Sequence, residues 1–337
     1  MTGRRCSRAA RAATLLAVVA LTASAAAGAD PPKAGAASGK YVTGTILTPD
    51  GKPAAQAKVA LGVAGDYIVI ADGSIQSSAT DALQRHTDEA GHFRFVPQTT
   101  RFCLVVTHPS GYARVECEAD NYPDVVTLTR WARVEGTFRI ARKPRPYAGI
   151  SITWGESHPL DPPKPRLTGD YAEPTDAMGH FVFERVVAGP VQVGNRFRRN
   201  EVNLTQMDSG QTVGIELQPG QTTHVDLGAF GRPLIGQLRP PEGEKKAPWH
   251  RALVWINPES PELRFKGPNC TATVNRDGNF CFDDVAPGEY HLVARVISTG
   301  DHLERHKIKV PAINEKLSQR PLDLGVLTLE RPEASKR

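Results

Sequence analysis

A nine-residue pattern that occurs three times constrains the fold of this chain more than any other feature of its sequence. It spans residues 87–95 (TDEAGHFRF), returns at 175–183 (TDAMGHFVF) and returns more loosely at 274–282 (VNRDGNFCF). Each copy predicts a strand end, a turn whose glycine adopts a positive φ, and a new strand. Its two phenylalanines, two positions apart, point to one face of that strand. The pattern therefore predicts a β-hairpin with a core-facing aromatic pair, repeated three times.

The spacing of the pattern indicates the size of each repeat. Two glycines recur in every repeat, one in the first predicted strand and one in the hairpin. Both series have intervals of roughly 90 to 100 residues, which is the length of a small β-sandwich with about seven short strands. These glycines are Gly44, Gly136 and Gly236, and Gly91, Gly179 and Gly278. No segment shows the period of a convincing amphipathic helix. We therefore expect an all-β fold with β-sandwiches at residues 40–129, 130–229 and 230–330, followed by a tail at 331–337.

Two segments interrupt the predicted strands. After a strand at residues 58–63, the chain continues to about Arg85 as a polar segment, which we interpret as an irregular insertion. Residues 159–174 take the same place in the second repeat and are rich in proline, so we interpret them as a loop.

The first 29 residues have the composition of a secretory signal peptide. Four arginines between positions 4 and 11 form a basic region, residues 12–23 form an apolar core, and residues 27–29 (Ala-Gly-Ala) offer a cleavage site. The apolar run is shorter than the about 20 residues that span a membrane. Sec-type export is favoured over twin-arginine export, and an uncleaved anchor is the alternative. We expect a secreted or periplasmic protein of the cell envelope, with a flexible tether at residues 30–39 and no transmembrane span in the mature chain.

The charge of the mature chain argues against nucleic-acid binding. The whole sequence has 41 basic and 36 acidic residues, but the signal peptide holds four arginines and no acidic residue, so residues 30–337 have a net charge of +1. A nucleic-acid binder is expected to keep a clustered basic face. The local basic run of note, Arg196, Arg198 and Arg199, is equally well explained as a solvated strand end.

Four cysteines follow the signal peptide, and an even number in an exported protein favours disulfides. Cys103 and Cys117 have their midpoint at Ser110, so a hairpin that turns there would place them opposite each other. Cys270 and Cys281 lie diagonally across the third hairpin, a relation that a bulge could close. We predict both disulfides, and regard a zinc site as the weaker alternative because no C-x-x-C pair occurs.

The combination of these motifs resembles the carboxypeptidase regulatory-like domains. The matching elements are V-x-G near the start of a repeat, G-x-P in the following turn, the T-D-x-x-G-x-F-x-F hairpin, and P-G-x-Y before a later strand. They are carried by Val42, Gly44, Gly51 and Pro53, by Val134 and Gly136, and by Gly236 and residues 287–290. The resemblance covers residues 40–330. It departs at residues 98–100 (QTT), where the first repeat lacks the Pro-Gly before its later strand, and at Asn275, where aspartate is usual. It implies tandem Ig-like or transthyretin-like β-sandwiches, related to collagen-adhesin B-type repeats and the carbohydrate-binding-like fold, that act as non-catalytic modules.

Catalysis has no candidate in the sequence, and we expect neither an enzyme nor a cofactor or metal. Residues 301–306 (DHLERH) are the densest polar cluster but lack the H-E-x-x-H spacing, so His302 and His306 are interpreted as solvated. His92 and His180 hold matching positions in two hairpins. A shared metal or pH-sensing site is one reading of that match, and outward-facing polar positions on separate hairpins are the favoured one.

Sugar binding would require exposed aromatic rings with polar neighbours. Trp154 and Trp255 fall on apolar strand faces and are predicted to be buried. The candidate ligand-binding residues are therefore Trp131, which falls on the polar side of its strand, and the loop-placed Trp249, Tyr171 and Tyr147. For Trp131, packing between the first two repeats is favoured over a ligand platform.

The sequence thus predicts an exported, non-catalytic repeat protein. We expect it to act as a binding or scaffolding module for a protein or glycan partner of the cell envelope, with no nucleic-acid partner. The alternative is an accessory or regulatory subunit of a separately encoded envelope enzyme.

Overall fold

The computed structural model describes residues 40–140, 142–155, 164–198, 207–228, 231–260, 269–312 and 320–332. Within these ranges the chain forms β-strands, two short 3₁₀ helices and no α-helix, which confirms the all-β prediction. The predicted signal peptide (residues 1–29) and the predicted tether (residues 30–39) lie outside the described residues. Where the chain is described, none of its helices has the length and apolar character needed to cross a membrane.

The strands follow the repeats in order. Those of the first repeat are β1 (Val42–Leu47), β2 (Lys58–Val63), β3 (Tyr67–Ala71), β4 (Ser74–Ile75), β5 (Leu83–His86), β6 (His92–Phe95), β7 (Phe102–His108), β8 (Gly111–Cys117) and β9 (Val125–Thr127). Those of the second are β10 (Ala132–Ile140), β11 (Lys143–Pro144), β12 (Gly149–Gly155), β13 (Arg166–Pro174), β14 (His180–Val186), β15 (Gly189–Arg198), β16 (Met207–Leu217) and β17 (Thr222–Gly228). Those of the third are β18 (Arg232–Arg239), β19 (Ala252–Pro258), β20 (Asn269–Thr273), β21 (Asn279–Val285), β22 (Gly288–Val296), β23 (His302–Val310) and β24 (Leu322–Thr328). The 3₁₀ helices are Ser77–Ala79 and Trp249–Arg251.

The same small sheet is built in every repeat around the opening strand. The hairpin strand β6, β14 or β21 pairs antiparallel with β1, β10 or β18. On its other side the opening strand pairs parallel with the closing strand β9, β17 or β24. In each case the opening glycine stands directly opposite the first phenylalanine of the hairpin, as Gly44 does to Phe93.

That pairing explains why the opening position is glycine. A Cβ added to Gly44 would lie 2.9 Å from the Phe93 ring, and one added to Gly236 would lie 2.6 Å from the Phe280 ring. At Gly136 the Phe181 ring lies 2.8 Å from the Cβ position, and the backbone carbonyl of Val225 is closer still. The ring therefore occupies the space that any side chain would need.

The turn of each hairpin uses one side-chain oxygen to hold two backbone amides. Oδ1 of Asp176 accepts hydrogen bonds from the amides of Met178 and His180, each at 2.8 Å. Asp88 does the same in the first repeat, and Asn275 does it in the third with its carboxamide oxygen. The asparagine that departs from the family pattern thus keeps the geometry of the turn, because the acceptor atom is the same.

A ten-stranded sheet joins strands of all three repeats in the order β23-β22-β19-β20-β16-β15-β12-β13-β3-β4. β3 runs parallel to β13, and β16 runs antiparallel to β20. The remaining strands of the first repeat form a separate sheet, β5-β2-β7-β8. The domain boundaries after residues 129 and 229 stay a prediction.

The pairing of β3 with β13 corrects two predictions. Residues 64–85 are not wholly irregular, because Ile68, Ile70 and Ile75 are buried in a core that also contains Ile150 and Phe181 of the second repeat. Residues 159–174 are not wholly a loop, because β13 covers the second half of that range. Each segment looks irregular in the sequence because the strand that pairs with it lies about a hundred residues away.

The predicted disulfides are wrong, and none of the four cysteines in the described part of the chain forms one. The β7–β8 hairpin pairs His108 with Gly111, so its centre lies half a residue before Ser110. As a result Cys103 faces Glu116 instead of Cys117. The two thiols point to opposite faces of the sheet and lie in different core clusters.

The second predicted disulfide fails for a related reason. Cys270 lies on β20 and is buried in the core of the third repeat, whereas Cys281 lies on β21, in another sheet, and is exposed. The two strands of this hairpin separate into different sheets, so Cys270 and Cys281 are not diagonal neighbours on one sheet.

We expect Gly236→Ala to lower the free energy of unfolding by about 1–3 kcal/mol, because the new Cβ would overlap the Phe280 ring. Gly149→Ala is the matched control, since the nearest atom to its Cβ position is 3.7 Å away, and we expect a change within about 0.5 kcal/mol. Urea unfolding measures both. Phe280→Leu combined with Gly236→Ala should cost less than the sum of the two single changes, and additive costs would contradict the steric relation.

We expect one thiol per native chain of residues 30–337 to react with a maleimide, at Cys281. Burial raises the pKa of Cys117 to about 11 and that of Cys270 to about 12, so these thiols are protonated as well as shielded. Burial also raises the pKa of Cys281, so the expected selectivity rests on the exposure of this thiol. After unfolding without reductant, all four cysteines should react, and mass spectrometry should find four labels per chain. Fewer than four labels would show that a disulfide exists.

Candidate functional site

The structure brings together two of the four candidate ligand-binding residues, at the junction of the first and second repeats. The Trp131 ring is buried against Tyr112 with a centroid separation of 4.9 Å, and its Nε1 donates a 2.8 Å hydrogen bond to the carbonyl of His108. Tyr171 lies on β13 rather than in a loop and is 1 % exposed. These two rings therefore belong to the core of the junction and do not form an exposed platform.

The junction is tied by two tyrosine hydroxyls at the turn between β14 and β15. The Tyr171 hydroxyl accepts a hydrogen bond from the amide of Val187 at 3.3 Å, and the Tyr112 hydroxyl accepts one from the amide of Ala188 at 2.9 Å. Burial raises the pKa of both hydroxyls, so they stay protonated. An apolar cleft of about 320 Å³ lies beside Tyr112, with Trp154 in its wall.

The other two candidates lie apart. Trp249 begins a 3₁₀ helix and is half-buried against the third core, where its ring lies 3.4 Å from the Cβ position of Gly278. Tyr147 is 77 % exposed and adopts a left-handed φ of 57°, a conformation uncommon for a bulky residue. Of the four candidates, Tyr147 alone presents its ring to solvent.

Tyr147 ends an exposed segment, residues 142–147 (RKPRPY), which we name the basic loop. Buried Thr175 holds its backbone: the hydroxyl donates to the carbonyl of Arg145 at 2.6 Å and accepts from the amide of Ala148 at 2.9 Å. The amide of Tyr147 donates to the carbonyl of Thr175 at 3.1 Å. Met178, on the adjoining hairpin turn, is 60 % exposed. The loop and the adjoining turn therefore combine a fixed backbone with exposed basic, aromatic and apolar side chains.

The first repeat has the same loop with different side chains. Thr87 bonds the carbonyl of Ala54 and the amide of Ala57, and Gln56 has a φ of 58°. The amide of Gln56 donates to the carbonyl of Thr87, as that of Tyr147 does to Thr175. Because the backbones match, Gln56 is the natural comparison for Tyr147.

The structure also shows a second group of polar side chains. Glu259, His291, Glu304 and His306 meet where β22 pairs with β23, and we name them the imidazole–carboxylate cluster. The sequence singled out residues 301–306 but missed His291 and Glu259. Sheet pairing brings those two residues in from distant positions, and no local spacing signals them.

His92 and His180 do not provide evidence of a shared site. In each hairpin the imidazole Nδ1 lies 3.4 Å from the carboxylate of its own turn, Asp88 or Asp176, and both partners are more than half exposed. Each histidine is thus engaged within its own hairpin.

Comparison with known proteins does not identify the chain. No protein-family model matches it, and no curated protein matches it. Among solved structures it is similar to the TIE protein of Bacillus anthracis, at 10 % identity over 86 % of this chain and 50 % of the other, with a TM-score of 0.20. This chain therefore spans about half the length of that protein.

Two pilins are similar in the same way. The minor pilin GBS52 of Streptococcus agalactiae has 10 % identity over 55 % of this chain and 94 % of the pilin, with a TM-score of 0.27. The shaft pilin of Lactobacillus rhamnosus GG has 12 % identity over 56 % and 96 %, with a TM-score of 0.22. These values are too low to show the family, and the resemblance to carboxypeptidase regulatory-like domains stays a prediction.

The turn carboxylates should make the protein sensitive to acid. The amide of His92 donates to Asp88 and that of His180 to Asp176, and these hydrogen bonds are the main cause that lowers the pKa of both carboxyl groups below 3.8. A lowered folded-state pKa contributes stability above the unfolded pKa, and that stability is lost as the pH falls through the folded value. Between neutral pH and about pH 3, we expect the melting temperature of the Asp88→Asn/Asp176→Asn variant to fall less than that of the wild type.

The asparagine of the third repeat supplies the control for this experiment. Asn275 holds the same two amides without a charge, so the asparagine variant should remain close to the wild type at neutral pH, whereas Asp88→Ala/Asp176→Ala should melt lower at every pH. An asparagine variant with the same acid response as the wild type would contradict the assignment.

Proposed function

We propose that this chain is an exported, non-catalytic scaffolding module that binds a protein partner through the basic loop. The observation that carries the proposal is the continuous ten-stranded sheet, which holds the three repeats together while the basic loop remains exposed on the second repeat. A scaffold needs exposed binding groups at fixed positions, and this arrangement supplies them.

Backbone pairing and shared burial support the scaffolding part of the proposal. β3 of the first repeat adds to the sheet of the second, and Ile68 and Ile70 pack in the same core as Ile152. β16 of the second repeat pairs with β20 of the third through Gln211 and Thr212. Relative movement of the repeats would break these hydrogen bonds and expose apolar side chains.

A protein partner fits the exposed groups better than a glycan does. Stacking on a sugar needs exposed rings, and Trp131 and Tyr171 are buried. The basic loop instead offers Tyr147 with neighbouring arginines, and the adjoining hairpin turn adds the exposed Met178. Tyrosine, arginine and methionine are enriched in protein–protein interfaces, and tyrosine and arginine supply many of their hot spots. The positive charge of the loop favours an acidic surface on the partner.

The test compares Tyr147 with the matching residue of the first repeat. Immobilised residues 30–337 are incubated with separate envelope protein and envelope polysaccharide fractions, and a photo-crosslinking amino acid is placed at position 147 or 56. We expect a crosslinked protein from position 147 and none of that protein from position 56. We also expect Tyr147→Ala to weaken retention of that protein at least about tenfold, as for an interface hot spot, and Gln56→Ala to leave it unchanged.

The outcome distinguishes the alternatives. If the captured protein is an enzyme whose activity changes on binding, the chain is an accessory or regulatory subunit. Retention on polysaccharide alone, or protein retention that is equal in both variants, would overturn the proposed role of the basic loop.

A further inference from the structure

The imidazole–carboxylate cluster owes its geometry to a β-bulge at the edge of the ten-stranded sheet. β22 and β23 pair Tyr290 with Ile308 and Leu292 with Arg305, so His306 and Lys307 both face His291. Lys307 has a left-handed φ of 56°, a costly conformation for a residue with a side chain. Bulges of this kind redirect side chains. Here the bulge places the His306 ring parallel to the His291 ring, with centroids 3.9 Å apart and an interplanar angle of 7°.

Carboxylates stand beside both imidazoles. Nε2 of His291 lies 3.5 Å from Oε2 of Glu304, and Nδ1 of His306 lies 3.0 Å from Oε1 of Glu259. The amide of Glu259 is itself fixed by a 2.9 Å hydrogen bond to the carbonyl of Glu289. Oε2 of Glu259 accepts a further 3.4 Å hydrogen bond from the amide of Lys307.

His291 is the member of the cluster whose Nε2 makes no hydrogen bond within the described chain, although Oε2 of Glu304 lies 3.5 Å away. Its side chain is only 15 % exposed, and its Nε2 is buried without a hydrogen-bond partner among the residues that the structure describes. Buried polar atoms in folded proteins are nearly always satisfied, and an exception points to an ion or a water. This nitrogen faces a carboxylate oxygen and lies beside a second imidazole.

The donor set is that of a zinc-class cation. The candidate ligand atoms of His291, Glu304 and His306 all lie within 4.8 Å of one another. Two imidazole nitrogens and a carboxylate oxygen are typical zinc ligands, at bond lengths of about 2.0–2.2 Å. Two parallel rings cannot both direct a lone pair at one cation, so binding requires the His306 ring to tilt out of the stack. The side chains of Glu304 and His306 are each 55 % exposed, which leaves room for this movement.

We propose that His291, Glu304 and His306 bind one divalent cation of the zinc class, and that Glu259 positions His306. If Nδ1 of His306 donates to Glu259, its Nε2 carries the lone pair that binds the metal, as in the carboxylate–histidine–zinc arrangement. The cation would join β22 to the edge strand β23. This proposal does not depend on the basic loop or on the partner proposed above.

Zinc chloride titrated into metal-stripped residues 30–337 tests the proposal by calorimetry. We expect one saturable site per chain and a melting temperature that rises with zinc, because a ligand that binds only the folded state stabilises it. His306→Ala and Glu304→Gln should each weaken zinc binding at least about tenfold, and Glu259→Gln should weaken it by about 10- to 100-fold. Cobalt should give a visible absorption band in the wild type that is lost in His306→Ala.

His302→Ala and His180→Ala are the controls, since one lies on the same strand and the other beside a carboxylate in a separate hairpin. Both should bind zinc as the wild type does. Circular dichroism without metal should show that every variant is folded. Absence of saturable binding, or binding that is unchanged in the His291→Ala/His306→Ala variant, would overturn the proposal.

Discussion

The structure depends on one steric relation, the seating of a phenylalanine ring on the opening glycine of each repeat. Because the ring of Phe93, Phe181 or Phe280 fills the space above that glycine, a hairpin shifted by one residue would press the ring against a side chain and turn its aromatic pair away from the core. The relation therefore fixes the register of the small sheet in each repeat. The third repeat has valine and asparagine where the others have threonine and aspartate, yet it keeps the same register, because Gly236 still stands opposite Phe280.

Local chemistry of this kind is what the sequence could predict. The turn glycines, the aromatic pairs and the all-β class all follow from residues within a few positions of one another. The pairing of β3 with β13 does not, because its partners are about a hundred residues apart and each looks irregular alone. The disulfide predictions failed on register, since a half-residue shift of the β7–β8 turn is enough to send Cys103 and Cys117 to opposite faces.

The candidate sites show the same difference between local information, which the sequence provides, and long-range pairing, which it does not. Tyr147 could be chosen from the sequence because its loop is polar and rich in proline. Tyr171 was misplaced because β13 was not recognised, and with it the burial of the junction. Residues 301–306 contain two members of the imidazole–carboxylate cluster and could be singled out from the sequence. The other two, His291 and Glu259, could not, because the strand order of the third repeat and the bulge at Lys307 bring them there.

The sheet shared by the repeats also limits how the chain can be divided. A fragment ending at residue 129 would keep β3 but lose β13, which would leave a strand edge without its partner and the side chains of Ile68 and Ile70 without most of their cover. Such an edge is a template for aggregation. The sequence is periodic, yet its repeats are not interchangeable modules: insertion, loss or exchange of one would have to preserve the strand that each contributes to its neighbour.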